Sequence, residues 1–174
     1  MRRAVYIVLL VCALGAATTA ARRDPLNQAE VNQLRDAAQE PDKRLLLFVK
    51  FIRARMDALE KTHSDPRIMA GRWQQVHDLL EDLDALVQEM DDNVEEYAKR
   101  RYDIRKPLVK VIELDGELQS KLRAIKEAAG AEMKDYAFAL ENAIESVNSS
   151  LDSARQVAQE QEAAVEAAKK AKKK

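Results

Sequence analysis

The sequence predicts an all-α protein: an elongated antiparallel helical bundle, or coiled-coil-like assembly, of about four helices, the last very long. Three observations carry this. Charged residues make up 34% of the chain and aromatics 5%, with four glycines and four prolines, so helix formers dominate turn and strand formers. Apolar residues recur at steps of three and four over long stretches. Each proline (Pro25, Pro41, Pro66, Pro107) precedes such a stretch, and proline is tolerated only in a helix's first turn. The apolar fraction of 47% can fill a core, but it leans on alanine, so that core should be thin and long.

The chain begins with Arg2-Arg3, an uncharged run from Ala4 to Ala17 centred on Val5 to Val11, and the small residues Ala16 to Ala21. That order is a secretory signal peptide over 1–21, with cleavage expected after Ala20 or Ala21. The alternative is an uncleaved anchor in the inner membrane, because Ala4 to Ala21 sits at the short limit for a span. Arg22 and Arg23 oppose translocation. The single cysteine, Cys12, lies inside this segment, so a cleaved chain has no thiol chemistry. The expected location is periplasmic or extracellular.

A single helical domain over 22–167 follows. Its first helix is expected near 27–39, opened by a capping box of Asn27 and Glu30 with Leu26 and Val31 as staple. The second, near 42–62, carries Leu45, Phe48, Val49, Ile52, Met56 and Leu59, widened by Leu46, Leu47 and Phe51. The third, near 66–102, opens at Asp65-Pro66 and repeats Met69, Val76, Leu83, Met90, Tyr97 and, four residues on, Trp73, Leu80, Val87, Val94. A stripe that broad suits a helix packed on two neighbours rather than a two-stranded coil. The fourth is expected to run unbroken near 107–165. Its two stripes, Val111 to Ile125 and Met133 to Ala154, are out of register about Gly130, read as a stutter. Such a helix would be on the order of 85 Å long against about 50 Å for the third, leaving apolar length uncovered. Residues 168–174 are expected to be a flexible tail, with lysines at 169, 170, 172, 173 and 174.

The motifs exclude more than they identify. Net charge is −1, which gives no reason to expect nucleic-acid binding. Glu60 and His63 have the spacing of a di-iron half-site, but His77 is preceded by Gln74 where the second half needs glutamate, so no metal site is assigned. Met69, Met90 and Met133 are spaced as core residues, not haem ligands. The carboxylates Glu81-Asp82-Asp84 and Glu89-Asp91-Asp92-Glu95-Glu96 read as a solvated helix face. Asn148-Ser149-Ser150 forms a sequon inside an expected helix, and Trp73 reads as core. No nucleophile–base pair or phosphate loop is present, so no catalytic residue and no cofactor is expected.

The resulting expectation is an exported, non-enzymatic helical protein with a structural, adaptor or chaperone-like role, acting through a protein partner or self-association. One alternative is a small-ligand or metal-binding bundle. Another is a binder of anionic membranes or wall polymers through Lys169, Lys170, Lys172, Lys173 and Lys174.

Overall fold

A computed structural model describes residues 24–65, 71–130 and 133–172, and the expected signal peptide lies outside them. The described residues form five helices: α1 Gln28–Asp36, α2 Pro41–Ser64, α3 Arg72–Lys99, α4 Arg105–Ala128 and α5 Met133–Lys172. The all-α bundle with a long last helix is as the sequence predicts. No helix among the described residues is long and apolar enough to cross a membrane.

Local chemistry sets most of the helix ends. Asn27 caps α1 by accepting from the backbone N–H of Ala29 and Glu30, both at 3.0 Å, while Glu30 Oε2 accepts from the Asn27 N–H at 3.0 Å. Pro41 opens α2 at its first helical position. Gly71, at φ +72°, precedes α3; only glycine adopts that left-handed turn without strain, so the helix begins after it. The expected start at Pro66 lies outside the described residues. α3 closes three residues before its expected end at Tyr102. The Tyr102 N–H donates to the Tyr97 carbonyl and the Arg101 N–H to that of Ala98. This is a Schellman motif, and the Tyr97 and Tyr102 rings meet edge to face across it at 5.8 Å. The left-handed residue it requires is Arg101, at φ 62°, rather than the usual glycine.

The unbroken fourth helix over 107–165 is not found. α4 starts at Arg105, and Pro107 takes its third position, where a missing N–H still costs nothing. It ends at Ala128, and Ala129 turns extended at φ −68°, ψ 123°. α5 then runs back along α4: Gln119 meets Asn148 at 2.6 Å and Lys126 meets Glu141 at 2.6 Å. The phase slip between the two apolar stripes is therefore a chain reversal, not a stutter. Folding back lets each stripe bury the other, an outcome that outweighs the modest cost of ending a helix at an alanine–glycine step.

The bundle is two antiparallel hairpins, α2–α3 and α4–α5, laid side by side. Ion pairs Arg53–Glu117 and Lys121–Glu60 place α2 parallel to α4. Contacts from Asp84 to Ser146 and from Tyr102 to Gln161 place α3 parallel to α5. α3 and α4 sit on one diagonal, α2 and α5 on the other, and α1 packs on α2 alone. The core is a column of large apolar side chains, including Phe48, Ile52, Leu80, Leu83, Met90, Leu114, Leu118 and Leu140, all at most 1% exposed. On α5 the inward residues include Ala139, Ala143 and Ala154, which let α3 and α4 approach closely. Trp73 departs from expectation: at 42% exposed it is not core, because it lies in the first turn of α3, where the stripe has little left to cover it.

α5 has 40 residues, about 60 Å, and outruns the bundle. Gln161 marks its point of exit. Its Nε2 donates to the Tyr102 carbonyl at 2.8 Å, and its Oε1 accepts from the Ile104 N–H at 3.1 Å. One amide thus satisfies the loop between the hairpins. Beyond it residues 162–172 are exposed apart from half-buried Val165. The tail expected to be flexible from 168 is helical to Lys172, because the alanines and Glu166–Lys169, paired at 2.7 Å, continue the helix.

Candidate interaction groove

The helix pair α3/α5 carries an unusual seam. Ser146, Ser150 and Ser153 follow one another at helical steps of four and three along α5, and each meets an aspartate. Ser146 Oγ donates to Asp84 Oδ1 at 2.5 Å, and Gln88 Nε2 donates to the same oxygen at 2.6 Å. Ser153 is hydrogen-bonded to Asp91. Ser150 Oγ donates to Asp115 Oδ2 of α4 at 2.9 Å. Asp115 is fully buried, and its other oxygen has no partner among the described residues. Burial pushes its carboxyl up to about 7, the Ser150 hydroxyl opposes the shift, and Asp91 adds to it. Burial likewise raises Asp91, against its bond to Ser153, with Glu95 and Asp92 adding.

Asp84 and Asp91 correct the reading of the acidic clusters as a solvated face. Asp82 and Asp84 are buried, at 8% and 9% exposed, and Asp91 is half-buried. Asp115 was missed altogether. Its signal was present: it lies seven residues after Leu108 and seven before Leu122, on the core stripe itself. Asp115 and Ser150 are sealed from solvent, so no substrate reaches them.

Outside the seam lies a groove of two adjoining clefts, of about 340 and 290 Å³, that share Asp84 and Asn142. Carboxylates line it at Glu81, Asp84, Asp91 and Glu145, with Gln88, Ser146 and Ser149 between them; neither lysine nor arginine is among its lining residues. At its N-terminal end Phe138 is 79% exposed. Trp73 stands eleven residues before Asp84, three helical turns, and so on the same face of α3. The nearest lysine on the α5 side of this face, Lys134, lies eleven residues before Glu145.

The other sequence-derived candidates are scattered. Lys169, Lys170 and Lys172 project from the end of α5, while Lys173 and Lys174 lie outside the described residues. Glu60 is engaged by Lys121 at 2.8 Å rather than by His63. The sequon residue Asn148 accepts from Gln119 within the α4/α5 interface. His77, Asp78 and Glu81 have ligating atoms within 4.8 Å of one another, but all belong to one turn of α3, and Gln74 already donates to Asp78. A second groove, of about 420 Å³, lies where α5 leaves the bundle, between Tyr102, Val157 and Val165.

No family model matches the chain, and comparison with curated proteins and with solved structures gave no match.

Proposed function

We propose that this chain is an exported, non-enzymatic structural or adaptor protein, and that the α3/α5 groove receives a cationic amphipathic helical segment of a protein partner. The single observation that carries the reading is the groove's make-up. Four carboxylates without a lysine or arginine among them line it together with the exposed ring of Phe138. Lysines satisfy the first and an apolar stripe the second, as in helix-in-groove recognition. The basic, apolar and small-residue start of the sequence supports export.

Trp73 is the sole tryptophan and lies on the groove's face of α3, three turns before Asp84. Titrating the purified protein with a helical Lys/Ala/Leu peptide should shift Trp73 emission, more weakly at high salt. A Glu/Ala/Leu peptide should not. The double substitution Glu81→Lys/Glu145→Lys should abolish the response. Equal responses to both peptides, or none to either, would sink the reading.

The exposed lysines at the end of α5 favour a second reading, attachment to an anionic surface. Sedimentation with anionic and neutral vesicles separates it from the first: this reading needs lysine-dependent co-sedimentation with anionic vesicles alone.

A further inference from the structure

One face of α5 carries opposite charges at its two ends. Phe138, Glu145, Gln156, Ala163 and Lys170 follow at steps of seven, eleven, seven and seven residues, which keeps them within about 40° of one another around the helix. Glu145 lies in the groove and Lys170 on the overhang, about 37 Å apart along a single helix. The overhang therefore cannot fold back into the groove of its own chain. A face with carboxylates at one end and lysines at the other is, however, complementary to itself when a second copy is turned end for end.

We propose that two copies of this chain form a two-fold symmetric dimer in which the α5 overhang of each lies in the α3/α5 groove of the other. This rests on the reading of the groove as a receiver of cationic helices, and it names the helix. Setting Lys170 of one copy opposite Glu145 of the other places the symmetry axis between residues 157 and 158, with the uncharged Gln156 and Gln159 facing each other across it. Both grooves fill at once, as an isologous contact requires. The overhang has the right composition. Lys169, Lys170 and Lys172 meet the carboxylates, and its alanines at 163, 164, 167 and 168 let the helix sit low between α3 and α5. Glu162 and Glu166 lie on the overhang as well, so the attraction is concentrated in its last turns.

Sedimentation velocity of the purified protein, across concentration and salt, tests this. The expected result is a monomer–dimer equilibrium that weakens as salt rises. Reversing the overhang (Lys169→Glu, Lys170→Glu, Lys172→Glu) should weaken dimerisation at least about tenfold, and reversing the groove (Glu81→Lys, Glu145→Lys) should do the same. Mixing the two variants should restore a dimer, because the mixed pair is attractive at both contacts. Circular dichroism checks that each variant keeps its helix content. A wild type that stays monomeric, or dimers indifferent to both reversals, or a mixture that does not recover, overturns the proposal. A monomer that still binds the Lys/Ala/Leu peptide through Trp73 overturns the dimer while leaving the groove's function standing. Failure of both measurements removes both.

Discussion

The bundle contains two parallel helix pairs, and they answer their carboxylates differently. On the side of α2, each carboxylate in contact across helices has a cation. Arg53 holds Glu117, Lys121 holds Glu60, and Arg55 holds Glu30 with both terminal nitrogens, Nη1 and Nη2. On the side of α5, Asp84, Asp91 and Asp115 are answered by Ser146, Ser153 and Ser150. A hydroxyl satisfies geometry but not charge. The difference shows in the acidities. The Arg55 hydrogen bond holds Glu30 below its ordinary value despite burial, whereas burial raises Asp91 and Asp115, as it also raises Glu89 against the more distant Arg44. One side is electrostatically closed. The other meets its aspartates with hydroxyls, and burial pushes Asp91 and Asp115 toward their neutral forms.

The sharpest way to break this contrast is pH. Asp115, raised from 3.8 to about 7, binds more protons folded than unfolded between those values. Its contribution is complete below the unfolded value, is lost as pH rises to about 7, and is flat beyond. The loss is on the order of 3–4 kcal/mol, so Asp115→Asn should gain about that much stability at pH 8 and little at pH 4 in urea unfolding. Equal gains at both would show that the shift is absent. Glu30 runs the opposite way. Its lowered pKa gives stability that is present above 4.5 and is lost on acidification. Removing its partner with Arg55→Ala should cost about 3 kcal/mol at neutral pH, because Glu30 then keeps its charge at 8% exposure without a guanidinium against it.

Smaller effects sharpen the comparison. Gln161→Ala should cost about 1–2 kcal/mol, since it strips partners from the Tyr102 carbonyl and the Ile104 N–H. Arg101→Gly should stabilise by up to about 1 kcal/mol, relieving a side chain held at φ 62°. Thermal unfolding of each variant checks sign and rank; a destabilising Arg101→Gly would mean that the side chain contributes more than its strain costs.

Much of the fold was legible, for stated reasons. The Asn27–Glu30 box, the Pro41 start and the apolar stripes are local signals, read within one or two turns. The reversal at Ala129 was not, because no proline or polar cluster marks it; only the partner stripe on the returning helix decides between stutter and turn. Trp73 was misplaced because periodicity gives the face of a helix and not whether anything covers it. The groove was half legible. Its carboxylates and the terminal lysines stood out in the sequence, but their side of the bundle depends on which hairpin edge meets which. Asp115 needed only a stricter seven-residue count.

The hairpin construction bears on how the chain assembles. The antiparallel contacts between α2 and α3, or between α4 and α5, join helices that follow one another in the chain. The parallel contacts, such as Arg53 to Glu117, must wait for distant segments to meet. Each hairpin should therefore form early and on its own, with docking of the two as the slow step. The only covalent link between them is the segment from Arg100 to Ile104. A cut there should leave two fragments that recombine into the same bundle at a rate set by their concentration.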